Sequence, residues 1–187
     1  MLSFIKTRIA AFRDDTRGTV TVEAALMLPL LFWTWAAMYV FFDAYRQASI
    51  VQKAAYTVGD LLSRETDYIT NAYMDNTMEL YGFLTPSTSN NAIRVSVIRW
   101  DDDEQIYKLD WSRVRGSRPE LTNNGVSNWH NKLPMMPHNE RIILVEAWSN
   151  YDAPFTVGLE NSSLEAFVFT RPRFAPQLLW QDTVNNF

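Results

Sequence analysis

Few side chains in this 187-residue chain are of a type and spacing that could do chemistry: the acidic run Asp101-Asp102-Asp103-Glu104, the histidines His130 and His138, and a carboxylate, Glu23, at the head of an apolar stretch. The histidine spacing matches no helix-face metal pair, and the nearby acids complete no zinc pattern. Both histidines stand among Asn and Pro and read as surface residues. The acidic run lacks the tight-turn glycine of an EF-hand calcium loop, so it reads as a charged hairpin tip. Cys is 0, which excludes disulfides, thiolate metal sites and thiol catalysis. No nucleophile elbow, phosphate-binding glycine loop or pair of catalytic carboxylates on one element is present. The formal net charge is -4 and the basic concentrations, Lys6 to Arg17 and Arg113 to Arg118, are short, which argues against a nucleic-acid binder. The tryptophans Trp100, Trp111, Trp129, Trp148 and Trp180 could bind a partner or a sugar, but Trp at strand spacing is mostly core, and three of the five are expected to be buried. No cofactor, metal, small-molecule substrate or catalytic residue is inferred. The chain reads as a protein that is not an enzyme.

Glu23 is positioned by the element that follows it. From Ala24 to Phe42 the sequence AALMLPLLFWTWAAMYVFF carries no charge. At about 1.5 Å per residue such a helix nearly matches a hydrocarbon core of about 30 Å. Thr34 can return its hydroxyl to a carbonyl one turn earlier, and Pro29 is tolerated in a membrane helix where neighbours re-satisfy the freed carbonyl. The competing reading, a core helix of a soluble protein, needs an unusually large core around Trp33, Trp35, Tyr39, Phe41 and Phe42. Lys6, Arg8, Arg13 and Arg17 precede the run and Asp43 follows it. The positive-inside bias therefore keeps the N-terminus in the cytoplasm and sends the C-terminal portion outward. A secretory signal fits poorly, because the apolar run is too long and no small-x-small site closes it before Asp43.

The junction ahead of the run reads Arg17-Gly18-Thr19-Val20-Thr21-Val22-Glu23. A basic leader ending in Gly, four uncharged residues, a Glu and then the apolar helix resemble the type IV prepilin cleavage site. The continuation Val22-Glu23-Ala24-Ala25-Leu26-Met27-Leu28-Pro29-Leu30-Leu31 resembles the N-terminal signature of the TadE/TadG-like family, the pilin-like proteins (minor pseudopilins) of tight-adherence, Flp-type pilus systems. The resemblance implies cutting between Gly18 and Thr19 by a prepilin peptidase on the cytoplasmic face. It also implies that Glu23 pairs with the freed amine of Thr19 on the same or a neighbouring subunit, setting subunit register. Thr19 departs from the commonest prepilins, which carry an aromatic residue or Met after the cut, and some members of the family keep their leader. An unpaired carboxylate at the edge of hydrocarbon costs about 2.5–3.5 kcal/mol or more, which makes Glu23 a functional candidate. The plainer alternative is a helix N-terminal acid in the headgroup layer, favoured by the helix dipole.

Beyond Phe42, Ala44, Ala48, Val51, Ala55, Val58 and Leu62 form an apolar stripe, opposite Arg46, Gln47, Gln52 and Lys53. One helix is expected from about Thr19 to about Arg64. A second is expected from Ile69 to Leu84, with Ala72, Tyr73, Leu80, Tyr81 and Leu84 toward one side. Thr85 to Asn91 is a loop by composition. The period then changes to that of strands: Ile93 to Val97 and Ile106 to Trp111, joined through the acidic run, then Arg141 to Trp148 and Leu164 to Thr170. Ser112 to Asn139 reads as a long connection. Arg171-Pro172-Arg173-Phe174-Ala175-Pro176 resembles a C-terminal stretch of the same family and could dock on the head or on a neighbour. The fold expected is α+β: a long N-terminal transmembrane helix continuing into a head with a second helix and an antiparallel sheet of about four strands. That is the pilin plan, with residues 1–18 a cytoplasmic leader that the resemblance marks for cleavage, 19–42 the span and 43–187 a periplasmic head.

Three functions fit in different measure. The first is a minor pseudopilin or pilus assembly component in the bacterial inner membrane, a single-pass protein whose partners are other pilins and the prepilin peptidase. The second is an uncleaved bitopic envelope protein that supports the same pilus or secretion machine. The third, an anchored periplasmic enzyme, lacks a catalytic constellation.

Overall fold

A computed structural model describes residues 2–13, 18–86 and 90–182. The order of elements is α1 (Leu2–Arg13), α2 (Thr19–Ser63), α3 (Asn71–Leu84), β1 (Ala92–Asp101), β2 (Ile106–Arg115), α4 (Asn123–Val126), a 3-10 turn (Trp129–Asn131), β3 (Arg141–Tyr151) and β4 (Ser162–Thr170). The residues group into two compact units, one of Met1–Phe42 with Pro154–Leu159, the other of Asp43–Ala153 with Glu160–Phe187.

In the first unit, the opening half of α2 is apolar on every side, so no face is set apart for a protein core. Of the most apolar 18 residues of α2, only 11% are buried. A core helix of a soluble protein would show the reverse. Among the described residues, α2 is the one helix long and apolar enough to cross a membrane. Pro29 lies inside it without ending it. Thr34 Oγ1 donates to the Leu30 carbonyl at 2.9 Å, so its one polar group is satisfied within the helix.

In the second unit, the remainder of α2 becomes amphipathic. Val51, Ala54, Ala55, Val58 and Leu62 are buried in one cluster with Met74 and Tyr81 of α3 and with Ile93, Val95, Val97, Ile143, Val145, Ala147, Ala166 and Val168 of the sheet. Ala44 and Ala48, the first members of the expected stripe, are half-buried. Gly59 does not stop the helix. A Cβ there would lie 3.8 Å from the Val168 and Thr170 side chains, so small residues at 54, 55 and 59 let the helix sit low on the sheet.

Helix α3 starts at Asn71, two residues later than expected, because Thr70 is its cap and accepts the Tyr73 N–H at 3.3 Å. Ile69 instead makes a parallel bridge with Trp180. Its N–H donates to the Leu179 carbonyl at 2.8 Å and its carbonyl accepts from Gln181 at 2.9 Å. The buried side of α3 is Met74, Thr77 and Tyr81. Ala72, expected on that side, is exposed, since the bulky residues at positions 74, 77 and 81 set the helix phase. Thr85 closes the helix by donating its N–H to the Tyr81 carbonyl, and residues 87–89 of the expected loop lie outside the described ones.

The four strands form one antiparallel sheet in the order β2-β1-β3-β4. Pairing of β1 with β2 slips by one residue, from Val97↔Trp111 to Ile98↔Leu109, leaving Asp110 as a bulge. The bulge reverses the alternation of β2. Tyr107 and Leu109 join one apolar cluster, whereas Trp111 packs against the other. It also places Asp110 to take Arg99 at 3.1 Å and Arg141 at 2.7 Å. Those arginines face each other across β1 and β3, where two like charges alone would repel.

The second face of the sheet is covered by the connection from β2 to β3. Val126, Leu133 and Met136 close over Ile98, Trp100, Tyr107, Ile142 and Leu144. The Tyr107 hydroxyl donates to the Pro134 carbonyl at 2.9 Å. Trp100 and Trp148 are buried, whereas Trp111, Trp129 and Trp180 are half-buried, so two of the five tryptophans are core rather than three. The segment after β4 docks on its own head. Arg173 donates its N–H to the Ser63 carbonyl at 2.7 Å and pairs with Asp60 at 3.2 Å, Arg171 pairs with Glu140 at 2.8 Å, and Leu178 is buried.

Candidate functional site at the head of the long helix

Thr19 opens α2, and Gly18 stands just before it. Arg17 lies outside the described residues. Gly18 is exposed, its φ is not among the positive ones, and a Cβ built on it meets nothing within 4 Å. Among the described residues, neither packing nor backbone conformation therefore demands glycine here. Thr19 and Glu23, four residues apart on one helix, lie on the same face. Both are exposed, and no hydrogen bond or ion pair engages Glu23 among the described residues. Phe12 of α1 and Gly18, Thr19, Val22, Glu23 and Leu26 line a groove of about 570 Å³. All three residues singled out from the sequence thus share one groove, whose described lining is apolar apart from the Thr19 hydroxyl and the Glu23 carboxylate. It presents an accessible peptide and one negative charge. Among the described residues lining it there is no histidine and no second carboxylate.

The other candidates have partners of their own. The acidic run forms the β1–β2 hairpin tip, where Asp101 Oδ1 accepts the N–H groups of Asp103 at 3.1 Å and Glu104 at 3.3 Å. Lys108 bridges Asp101 and Glu104 at 2.7 Å each. Its hydrogen bond, ahead of the backbone donors, holds the Asp101 carboxyl below the usual range, and Asp101 in turn pushes the Lys108 ammonium up. His138 Nδ1 accepts the Asp102 N–H at 3.1 Å. Asp101, Asp103 and His138 bring ligand atoms within 4.8 Å of one another. Lys108 already engages Asp101 of this set, however, and the His138 Nδ1 lone pair is in use. His130 stands apart from it, packed against the rings of Trp100 and Tyr107 at 5.7 Å.

A cleft of about 700 Å³ runs beside β2, between Glu120-Leu121 and Gln177 to Trp180. Its arginines are spent on structure. Arg141 holds Asp110, and Arg113 pairs with Asp182 at 3.2 Å and Glu120 at 3.6 Å while its guanidinium lies 4.6 Å from the Trp180 ring.

Two features went unread in the sequence. Arg94 and Glu146, cross-strand partners on β1 and β3, form a buried bidentate pair at 2.7 and 2.8 Å, and Arg94 also donates to the Pro119 carbonyl at 2.6 Å. Their alternation with Ile93, Val95, Val145 and Ala147 looks like that of a solvent face, and only the covering connection buries them. The second is Tyr73. Its buried hydroxyl oxygen meets no partner in hydrogen-bond geometry among the described residues, and burial first, then the charge and nearness of the Glu65 carboxylate, pushes its pKa up to about 12.

Comparison of the chain with protein-family models, with curated proteins and with solved structures returned no match.

Proposed function

We propose that this protein is a single-pass inner-membrane protein of the pilin-like, TadE/TadG-like kind that acts by assembly rather than by catalysis. Thr19 to Phe42 is its span, the leader is cytoplasmic and the α+β head is periplasmic. The observation that carries the reading is α2 itself. It is one helix that is apolar and, apart from Ala36 and Val40, uncovered over its first half, and amphipathic with one face buried over its second, as an anchored head requires. The junction adds support. A Cβ at Gly18 would meet none of the described residues, so a glycine there is best explained by a protein that must approach the backbone closely. In this reading that protein is a prepilin peptidase. Cutting would free the Thr19 amine on the same helix face as Glu23, a carboxylate that no described residue engages, and pairing between the two would fix register with another pilin.

The test is the intact mass of the membrane-extracted protein, expressed with and without its cognate prepilin peptidase. Loss of residues 1–18 only with the peptidase supports a pseudopilin. Full-length protein in both cases rejects processing and favours an uncut assembly factor. A cut after the apolar run would mean a released domain and end the membrane reading.

A further inference from the structure

We infer that the β3–β4 loop is a second membrane-contacting element, a short wedge that sits at the lipid interface beside Tyr39, near the outer end of the span. This rests on the reading of Thr19 to Phe42 as a span. Pro154–Leu159 belongs to the same compact unit as that part of the helix, not to the sheet whose strands it joins. Its sequence, Pro-Phe-Thr-Val-Gly-Leu, carries no charge, and exposed acids at Asp152 and Glu160 flank it on either side. An ordinary hairpin loop in water has no reason to place its charges only where it leaves the strands.

The ring of Phe155 meets the ring of Tyr39 edge-on, with centroids 6.3 Å apart, yet each residue remains 49% exposed. The pair therefore presents a joint aromatic surface instead of burying itself. Tyr39 precedes Asp43, the first charge after the span, by four residues, or about 6 Å along the helix. The interfacial layer on each side of the hydrocarbon core is about 5–8 Å thick, so the pair lies near its inner border, where aromatic side chains gather.

Main-chain geometry limits the depth. Val157 donates its N–H to the Phe155 carbonyl at 3.1 Å, Gly158 turns the chain at a φ of 103°, and the Asn161 side chain ties back the Ala153 N–H at 2.9 Å. Such a loop satisfies only part of its backbone internally. It can rest among headgroups and glycerol with its side chains pointing inward, but it cannot enter the hydrocarbon itself. Lipid is preferred over a second copy as the occupant because the loop continues the apolar surface of a helix that already faces lipid.

The chain has no cysteine, so single-cysteine variants can be labelled at one place. The full-length variants Phe155→Cys, Thr156→Cys, Phe41→Cys and Glu79→Cys are labelled with an environment-sensitive fluorophore and reconstituted in phosphatidylcholine vesicles carrying a shallow nitroxide lipid. Thr156→Cys keeps the Phe155 ring, and near-UV circular dichroism checks each fold. The inference expects labels at 155 and 156 to be blue-shifted and quenched as strongly as the label at 41, with 79 unaffected. Quenching at 41 but not at 155 and 156, with or without a blue shift there, overturns the inference and leaves the span intact. Failure to quench at 41 overturns the span and the inference together.

Discussion

The Arg94–Glu146 pair gives the most quantitative test of how the head is held. Each side chain is only 10% exposed, so water screens the pair little. Arg94 makes charged hydrogen bonds to both Glu146 oxygens and to the Pro119 carbonyl, and its guanidinium lies 5.1 Å from the Trp148 ring. Arg94→Met keeps most of the volume but strands the Glu146 carboxylate and the Pro119 carbonyl in the covered face. Breaking such a pair from one side costs about 3–5 kcal/mol. At roughly 2–4 °C per kcal/mol for a protein of this size, Tm should fall by about 6–20 °C. Glu146→Leu should cost a similar amount by stranding the cation. The double variant Arg94→Met/Glu146→Leu removes both charges and should return to within about 1 kcal/mol of the parent, or exceed it. The assay is thermal unfolding of the detergent-solubilised chain, read by near-UV circular dichroism and analysed as a double-mutant cycle. Losses below about 1 kcal/mol for both single variants, or a double variant as unstable as their sum, would refute the reasoning.

Three further tests address single residues. Glu23→Gln and Glu23→Ala should insert into the membrane normally, since the change only removes a charge at the edge of hydrocarbon, yet abolish pilus assembly, and full piliation would sink the role given to the carboxylate. The Tyr73 pKa is raised from 10.0 to about 12, so the unfolded chain ionises first: stability is intact below pH 10 and should fall as pH rises from 10 to about 12. Tyr73→Phe should flatten that slope in alkaline denaturation at little loss of neutral-pH stability, because the hydroxyl makes no hydrogen bond among the described residues. Gly116 has a φ of 102° and a Cβ there would lie 2.6 Å from the Ala92 Cβ, so Gly116→Ala should destabilise by more than the roughly 1–3 kcal/mol of strain alone. Gly158→Ala, at a similar φ with open space around it, should show only the strain, and equal losses in chemical unfolding would contradict the clash.

Much of this architecture was legible in the residues because its signals are local. An uncharged run, a stripe at spacings of three and four, and alternation in four short segments each need only a few neighbouring residues to declare themselves. They sufficed to place α2, the order of helices before strands, and the hairpin through Asp101-Asp102-Asp103-Glu104. The junction at Gly18, Thr19 and Glu23 was legible for the same reason, as a string of types in order.

What the residues left open were matters settled between distant segments. Alternating Arg94 and Glu146 look like a wet strand face, and only the segment 116–139 folding over the sheet makes them a buried pair. Ile69 continues a helical pattern, but hydrogen bonds to residues 179 and 181 draw it into a bridge. The bulge at Asp110 sets that carboxylate between two arginines that meet across β1 and β3, a grouping that no local window contains. Period and composition specify an element and its apolar face, whereas the partner of that face is set by which remote surfaces can close together without leaving a charge or a backbone group unpaired.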